Sequence, residues 1–102
     1  MMKIRIALLT TAFVGSGLAL PAFGQSAGLG RDLAATCTHC HGTDGRSASI
    51  ALAGVAKDQI VQKMKEFKAG SRPATLMHQL SKGYTEQQVE LIAEYFSKQQ
   101  AR

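Results

Sequence analysis

The chain has 102 residues, of which 45% are hydrophobic and 19% are charged, and its formal net charge is +5. This length is enough for one domain, and the composition is that of an ordinary globular protein. The basic residues are spread along the chain and do not form the concentrated stripe with interleaved aromatic residues that nucleic-acid binding requires, so that function is excluded.

Residues 1–24 predict a secretory signal peptide. Lys3 and Arg5 give a positively charged start, an apolar run extends from Ile6 to Leu20, and small residues before Gln25 form a cleavage pattern. The apolar run has about 15 residues, whereas a membrane-spanning helix needs roughly 20. We therefore expect export to the periplasm, a mature domain of residues 25–102 and no stable membrane span after cleavage.

The mature part predicts an all-α protein. Leu29, Leu33 and Cys37 recur at four-residue spacing, which predicts a first helix with these side chains on one face. Segment 42–54 is rich in glycine and serine and predicts a loop. No alternating apolar pattern is long enough to predict a sheet.

Three helical segments are predicted in the second half. The first covers residues 57–69 and ends at Gly70; its apolar stripe consists of Ile60, Val61, Met64 and Phe67. A short one covers residues 76–82 and ends at Gly83. The last starts with a capping box at Thr85, and its apolar face consists of Val89, Ile92, Ala93 and Phe96.

The chemistry is carried by Cys37, Cys40 and His41, which have the Cys-x-x-Cys-His spacing of covalent haem attachment. Two cysteines three residues apart on a helical turn project the same way, so both thiols can reach the vinyl groups on one edge of a porphyrin. His41 is then the proximal iron ligand, and its other ring nitrogen needs an acceptor, for which a carbonyl of segment 42–54 is predicted. We predict one covalent haem c.

Two other sites are possible for the same residues. A Cys37–Cys40 disulfide or dithiol suits an exported protein, but the strand-helix-strand setting of thioredoxin-like proteins is missing and the histidine would have no role. A zinc site built from Cys37, Cys40, His41 and either His39 or His78 lacks a second ligand pair at the usual spacing.

The distal iron ligand has three candidates. Met64 is in register with Ile60 and Phe67, which predicts a core residue. Met77 follows an irregular passage where the chain can bend across the open haem face, and a thioether is a suitable ligand for haem iron, so Met77 is preferred. His78 stays as an alternative ligand.

The mature chain resembles the class I cytochromes c and, within them, the cytochrome subunit of flavocytochrome c sulfide dehydrogenases. The resemblance rests on residues 33–37, 40–45, 67–75 and 77–85. It implies about four short helices around one haem, Met77 as distal ligand, and a partner flavoprotein that holds FAD and oxidises sulfide. One departure concerns the haem loop, where Ile50 and Ala51 precede Leu52 in place of the usual proline.

We therefore expect a periplasmic monohaem cytochrome that transfers single electrons and performs no substrate chemistry itself. Its partner would be the FAD sulfide dehydrogenase flavoprotein or another redox protein. The alternatives are a free soluble electron carrier, a haem-based gas sensor in which Met77 is displaced or unbound, and a thiol-disulfide protein without haem. Five lysines form either a docking surface for an acidic partner or a solvated face: Lys57, Lys63, Lys65, Lys68 and Lys82.

Overall fold

The computed structural model describes residues 23–101, and all regular structure in that range is helical. The helices are α1 (Phe23–Ala34), α2 (Thr38–His41), α3 (Lys57–Ala69), α4 (Met77–Leu80) and α5 (Glu86–Ser97). Three 3-10 turns lie at Ala35–Cys37, Thr43–Gly45 and Ser81–Gly83. The first of these turns joins α1 to α2, so the helices form four runs, and the predicted all-α fold is confirmed. Most of the predicted signal peptide, residues 1–22, lies outside the described residues.

The core forms where α1 and α3 pack against α5. Its buried side chains are Ala34, Ile60, Ile92, Ala93 and Phe96. Every residue of the predicted apolar face of α5 is buried, with Phe96 at 0% exposure. Burying a phenylalanine of this kind stabilises a fold by roughly 1.5–3 kcal/mol, which makes α5 the central element.

One residue of the predicted apolar face of α1 is exposed. Leu29 is 50% exposed, whereas Gly30 and Ala34 are buried and Leu33 and Cys37 are half-buried. Helix α1 crosses α5 so closely that a Cβ on Gly30 would lie 2.7 Å from the Leu91 carbonyl oxygen. A close contact of α1 with α5 therefore lies at Gly30, and Leu33 packs against the core cluster beside it.

The bounds of α3 agree with the prediction. The helix runs from Lys57 to Ala69 and ends at Gly70, whose φ of 78° is the left-handed conformation that glycine adopts without strain. Met64 packs against the core cluster, as its register predicted.

The remaining two helices also follow the sequence closely. Helix α4 begins at Met77, and a 3-10 turn continues it to Gly83. At the start of α5, the Gln88 backbone N–H donates to Thr85 Oγ1 at 3.1 Å, and the Thr85 N–H donates to Gln88 Oε1 at 2.9 Å. The predicted capping box is confirmed.

Candidate haem site

The first part of the site is the continuous helical run that ends in α2. Cys37 closes the 3-10 turn after α1, and Cys40 and His41 lie in α2. Both cysteines are free thiols; Cys37 is half-buried against the core cluster and Cys40 is exposed. The structure thus holds the three predicted residues on one short helical segment, next to the core.

Burial affects the reactivity of the Cys37 thiol. Burial raises the pKa of the Cys37 thiol, more than its hydrogen bond to Thr36 lowers it. A raised pKa reduces the thiolate fraction at neutral pH, and the thiolate is the nucleophile in disulfide exchange. The geometry around Cys37 therefore favours a packed anchoring residue over the thiol-disulfide alternative.

The His41 ring is held by a backbone carbonyl of the following loop. Its Nδ1–H donates to the Ile50 carbonyl oxygen at 2.7 Å. A carbonyl only accepts, so Nδ1 carries a proton, and in the neutral ring Nε2 then has the free lone pair that a metal-binding histidine needs. The predicted loop acceptor is confirmed, and the absence of the usual proline before Leu52 does not prevent this hydrogen bond.

The loop turns sharply as soon as α2 ends. Gly42 has φ 78° and ψ 163°, and a Cβ on it would lie 2.6 Å from the Ser47 backbone nitrogen. The Ser47 N–H donates to the His41 carbonyl oxygen at 2.8 Å. This tight closure requires glycine at position 42, because any side chain there would push the loop away from His41.

Met77 lies on a different part of the fold, in α4, which packs against α3. Its side chain is half-buried. The segment that carries it is fastened to α3 at both ends, because Arg72 Nε donates to Glu66 Oε2 at 2.7 Å and Lys68 Nζ donates to the Tyr84 carbonyl at 2.6 Å.

The Met77 segment is also joined to the cysteine-bearing run. The Tyr84 hydroxyl shares a hydrogen bond of 2.6 Å with Thr36 Oγ1, and Thr36 directly precedes Cys37. This single side-chain bond connects the two parts of the site, across 48 residues of chain.

The other histidines lie in different environments. His39 is exposed, and His78 is half-buried with its Nδ1 enclosed and without a hydrogen-bond partner among residues 23–101. The carbonyl of His78 accepts from the Ser81 hydroxyl at 3.3 Å. The His78 ring is therefore partly enclosed by the fold, and His78 remains an alternative ligand to Met77.

The donor set and its surroundings fit a covalently attached haem. Two free thiols stand three residues apart, and the adjacent histidine has the correct tautomer. Large apolar side chains lie exposed in the loop after His41 and on both sides of Met77, with exposures of 47% for Ile50, 61% for Leu76 and 52% for Leu80. Apolar surface of this kind suits a porphyrin, which is itself a large apolar group.

Two further findings bear on the alternatives. Within residues 23–101, no group of three or more histidine, cysteine, aspartate or glutamate side chains could hold a metal ion, which disfavours the zinc site. In the same range, none of the helices has the length and apolar character to cross a membrane.

Two of the five lysines considered for docking have partners within the protein. Lys57 pairs with Glu90 at 2.9 Å and with Glu94 at 3.3 Å, and Lys68 binds the Tyr84 carbonyl. The other three are exposed: Lys63, Lys65 and Lys82. The lysines thus serve the fold at least in part, and the docking interpretation remains a prediction.

Sequence reasoning missed a polar network next to the site. Asp44 accepts from the Tyr95 hydroxyl and from Arg46 Nη1, the latter at 2.9 Å. Asp44 lies two residues after Gly42 and Tyr95 lies in α5, so no local pattern could have paired them. The one available signal was an aspartate within a glycine-rich turn, where its side chain is well suited to a left-handed conformation.

Known proteins similar to this chain are c-type cytochromes. The cytochrome subunit of sulfide dehydrogenase from Chlorobaculum tepidum is 44% identical over 69 residues, which cover 66% of this chain and 63% of that subunit. Cytochrome c-553 from Nitratidesulfovibrio vulgaris is 33% identical, over 76% of this chain and 85% of its own length. Cytochrome c-554(548) from Halomonas halodenitrificans is 31% identical, over 72% of this chain and 96% of its own length.

A comparison with models of protein families gives no match. The chain spans a little less than two thirds of the sulfide dehydrogenase subunit, so the match to that relative is partial. The two matches that cover 85% and 96% of the relatives' lengths, together with the helical fold and the Cys-x-x-Cys-His segment, are sufficient to assign the family. The chain belongs to the class I c-type cytochromes, whose function is electron transfer.

Proposed function

We propose that this protein is a periplasmic monohaem cytochrome that accepts single electrons from an FAD-containing sulfide dehydrogenase flavoprotein. Cys37 and Cys40 anchor the haem through thioethers, His41 is the proximal iron ligand and Met77 is the distal ligand. When bound, haem supplies an iron that alternates between the ferric and ferrous states. The polypeptide contributes binding, orientation and exclusion of water, and it performs no chemistry on sulfide.

The observation that carries this proposal is the hydrogen bond from His41 Nδ1–H to the Ile50 carbonyl. It leaves Nε2 as the ligating atom, one residue after a free thiol of the attachment motif. A carbonyl acceptor also increases the electron density of the imidazole, which strengthens its bond to iron. A thiol-disulfide protein has no need of a histidine fixed in this tautomer.

Met77 is supported as distal ligand by its position on a segment that the fold fastens at both ends. The ties from α3 to Arg72 and Tyr84 leave a short span that contains both Met77 and His78. Met64, the other methionine considered, is already engaged in packing against the core. A soft thioether in that span would fill the distal position of a bound haem iron, which suits electron transfer because no position would be left open for a small molecule.

The ligands are tested by absorption spectra of the purified protein, oxidised and reduced, with its mass measured in parallel. We expect the mass of the polypeptide plus one haem, sharp reduced c-type bands, and the weak red band of methionine-to-iron ligation. That red band should disappear in Met77→Ala and persist in the control Met64→Leu. Its persistence in Met77→Ala, with loss in a His78→Ala variant, would assign the distal position to His78.

Carbon monoxide separates an electron carrier from a gas sensor. A six-coordinate ferrous haem with a firmly bound Met77 should show no shift of the Soret band when the gas is added, whereas Met77→Ala should show one. A shift in the wild-type protein would contradict the electron-transfer assignment and favour the sensor.

The partner is tested with the protein purified from its native periplasm. The resemblance of residues 67–75 and 77–85 to the sulfide dehydrogenase subunits, and the 44% identity over 69 residues, support a flavoprotein partner. We expect co-purification with a protein that contains FAD, and reduction of the haem when sulfide is added to that complex. Recovery of a free monomer that sulfide does not reduce would instead favour a free soluble carrier.

A further inference from the structure

The loop between α2 and α3 is tied to the C-terminal part of the chain by side chains. The Tyr95 hydroxyl donates to Asp44 Oδ1, and Arg46 Nη1 donates to Asp44 Oδ2 at 2.9 Å. Arg46 Nε donates in addition to the Gln100 carbonyl at 3.0 Å. Tyr95 lies in α5 and Gln100 follows it, so both carboxylate oxygens of Asp44 connect the loop, directly or through Arg46, to this end of the molecule.

Backbone hydrogen bonds close the loop on both sides of Ile50. Before it, the Ser47 N–H donates to the His41 carbonyl at 2.8 Å. After it, the Leu52 and Ala53 N–H groups donate to the Gly45 carbonyl at 2.8 and 3.1 Å. Gly45 directly follows Asp44, so the position of the Ile50 carbonyl depends on where Asp44 is held.

Asp44 itself has an unusual backbone conformation. Among residues 23–101 it is the non-glycine residue with a positive φ, 53°, and its ψ is 24°. Residues other than glycine rarely adopt this left-handed backbone conformation unless the surrounding structure holds them there, although aspartate tolerates it better than most. The two hydrogen bonds to its carboxylate account for the retention of this conformation.

The titration behaviour of the pair agrees with a hydrogen bond from a neutral phenol to an ionised carboxylate. The bond from Tyr95 lowers the pKa of Asp44, and the same bond together with burial raises the pKa of Tyr95. The lowered pKa favours the ionised Asp44 carboxylate and the raised pKa favours the neutral Tyr95 phenol, as a hydrogen bond from the phenol to the carboxylate requires. The charge-assisted bond is therefore present across the neutral range.

We propose that Asp44, Tyr95 and Arg46 act as positioning residues for the proximal ligand, by holding the loop so that the Ile50 carbonyl stays in hydrogen-bond contact with His41 Nδ1–H. This inference rests on the proposed role of His41. A firm acceptor keeps the imidazole electron-rich, which favours ferric iron, so a loosened loop raises the reduction potential.

The test uses the haem-loaded wild type and Tyr95→Phe, with Ser97→Ala as the control on the same helix. Each variant loses one hydroxyl of α5, but the Ser97 hydroxyl donates to the Glu94 carbonyl at 2.9 Å and not to the loop. Solvent exchange of the His41 Nδ1 proton is measured by NMR in the reduced protein, together with the midpoint potential. In Tyr95→Phe we expect exchange to be faster by about tenfold, since the loss of a hydrogen bond to a charged group changes an equilibrium by that order.

The midpoint reduction potential should rise in the variant in which the His41 Nδ1 proton exchanges faster. We expect a shift of about threefold in the ferric-to-ferrous equilibrium towards the ferrous state in Tyr95→Phe, or about 28 mV for one electron. Ser97→Ala should leave the exchange within about twofold of the wild type even where its global stability falls. Equal acceleration in both variants, or none in Tyr95→Phe, would overturn the inference.

Two substitutions at position 44 test the role of Asp44 in holding the loop if Tyr95→Phe does not yield a haem-loaded protein. Asparagine and glycine both accept the left-handed conformation, but only asparagine can still accept the hydrogen bond from Tyr95. Asp44→Gly should therefore accelerate the exchange more than Asp44→Asn, and equal rates would count against the proposal. A wild-type protein without haem would refute the proposed function, whereas a holoprotein with unchanged exchange in these variants refutes this inference alone.

Discussion

Gly30 is a position where a single methyl group should disturb the packing of α1 on α5. A Cβ there would lie 2.7 Å from the Leu91 carbonyl oxygen and 3.6 Å from Tyr95 Cβ. Because the first contact is with backbone of another helix, the methyl group forces the two helices apart, at a cost towards the upper end of the roughly 1–3 kcal/mol found for overpacking. Alanine regains up to about 1 kcal/mol through its higher helix propensity. We expect Gly30→Ala to destabilise the fold by about 2 kcal/mol.

The same helix provides the control. A Cβ on Gly28 would meet no atom of residues 23–101 within 4 Å, so Gly28→Ala carries only the gain in helix propensity. Thermal unfolding of the two haem-loaded variants, followed by circular dichroism, should show the Tm of Gly30→Ala about 10 °C below that of the wild type, at the 4–8 °C per kcal/mol typical of this size. The Tm of Gly28→Ala should equal or exceed that of the wild type.

The reasoning fails if Gly30→Ala is as stable as Gly28→Ala. That result would mean that α1 can move away from α5 at no cost, and that the small residues on α1 do not define a tight contact. Loss of stability in both variants to the same extent would also contradict it, because a Cβ at Gly28 has no close neighbour in the described part of the chain to explain such a loss.

Three further outcomes are expected. Gly42→Ala places a Cβ 2.6 Å from the Ser47 nitrogen at a φ of 78°, and should lower the yield of haem-loaded protein, measured from the ratio of Soret to protein absorbance. Thr85→Ala removes the N-cap of α5 and should cost about 1 kcal/mol in guanidinium unfolding. The pKa of Asp44 is lower in the folded protein than the value of about 3.9 in the unfolded chain. The ionised carboxylate therefore stabilises the fold above the unfolded pKa, and this stabilisation is lost as the pH falls through the folded pKa. Acid unfolding of Asp44→Asn should therefore have a smaller pH dependence.

The sequence predicted well those features that neighbouring residues determine. The bounds of α3, with its stop at Gly70, follow from an apolar stripe and a residue that adopts positive φ freely. The capping box at Thr85 is likewise formed within a few residues of chain. The proximal half of the site is also local, because the acceptor for His41 lies only nine residues away.

The features that the sequence missed depend on distant contacts. The four-residue spacing placed Leu29 on one face with Leu33 and Cys37, but it could not show how much of that face is covered. That is decided by the crossing of α1 and α5 at Gly30, which leaves Leu29 exposed. The bond between Asp44 and Tyr95 spans 51 residues of chain. Neither residue belongs to a recognised motif, so its partner could be identified only from the folded chain.

Helix α5 links the stability of the core to the geometry of the haem loop. Phe96 is fully buried in the core, and its carbonyl accepts from the Gly54 N–H at 3.0 Å at the far end of the loop. A Cβ on Gly45 would lie 2.8 Å from the Phe96 ring, so the loop also packs directly on this side chain. With Tyr95 one residue earlier holding Asp44, two consecutive residues of α5 fix both the packing and the polar contacts of the loop. A substitution that displaces α5 should therefore alter the environment of His41 even when it lies far from the ligand in sequence.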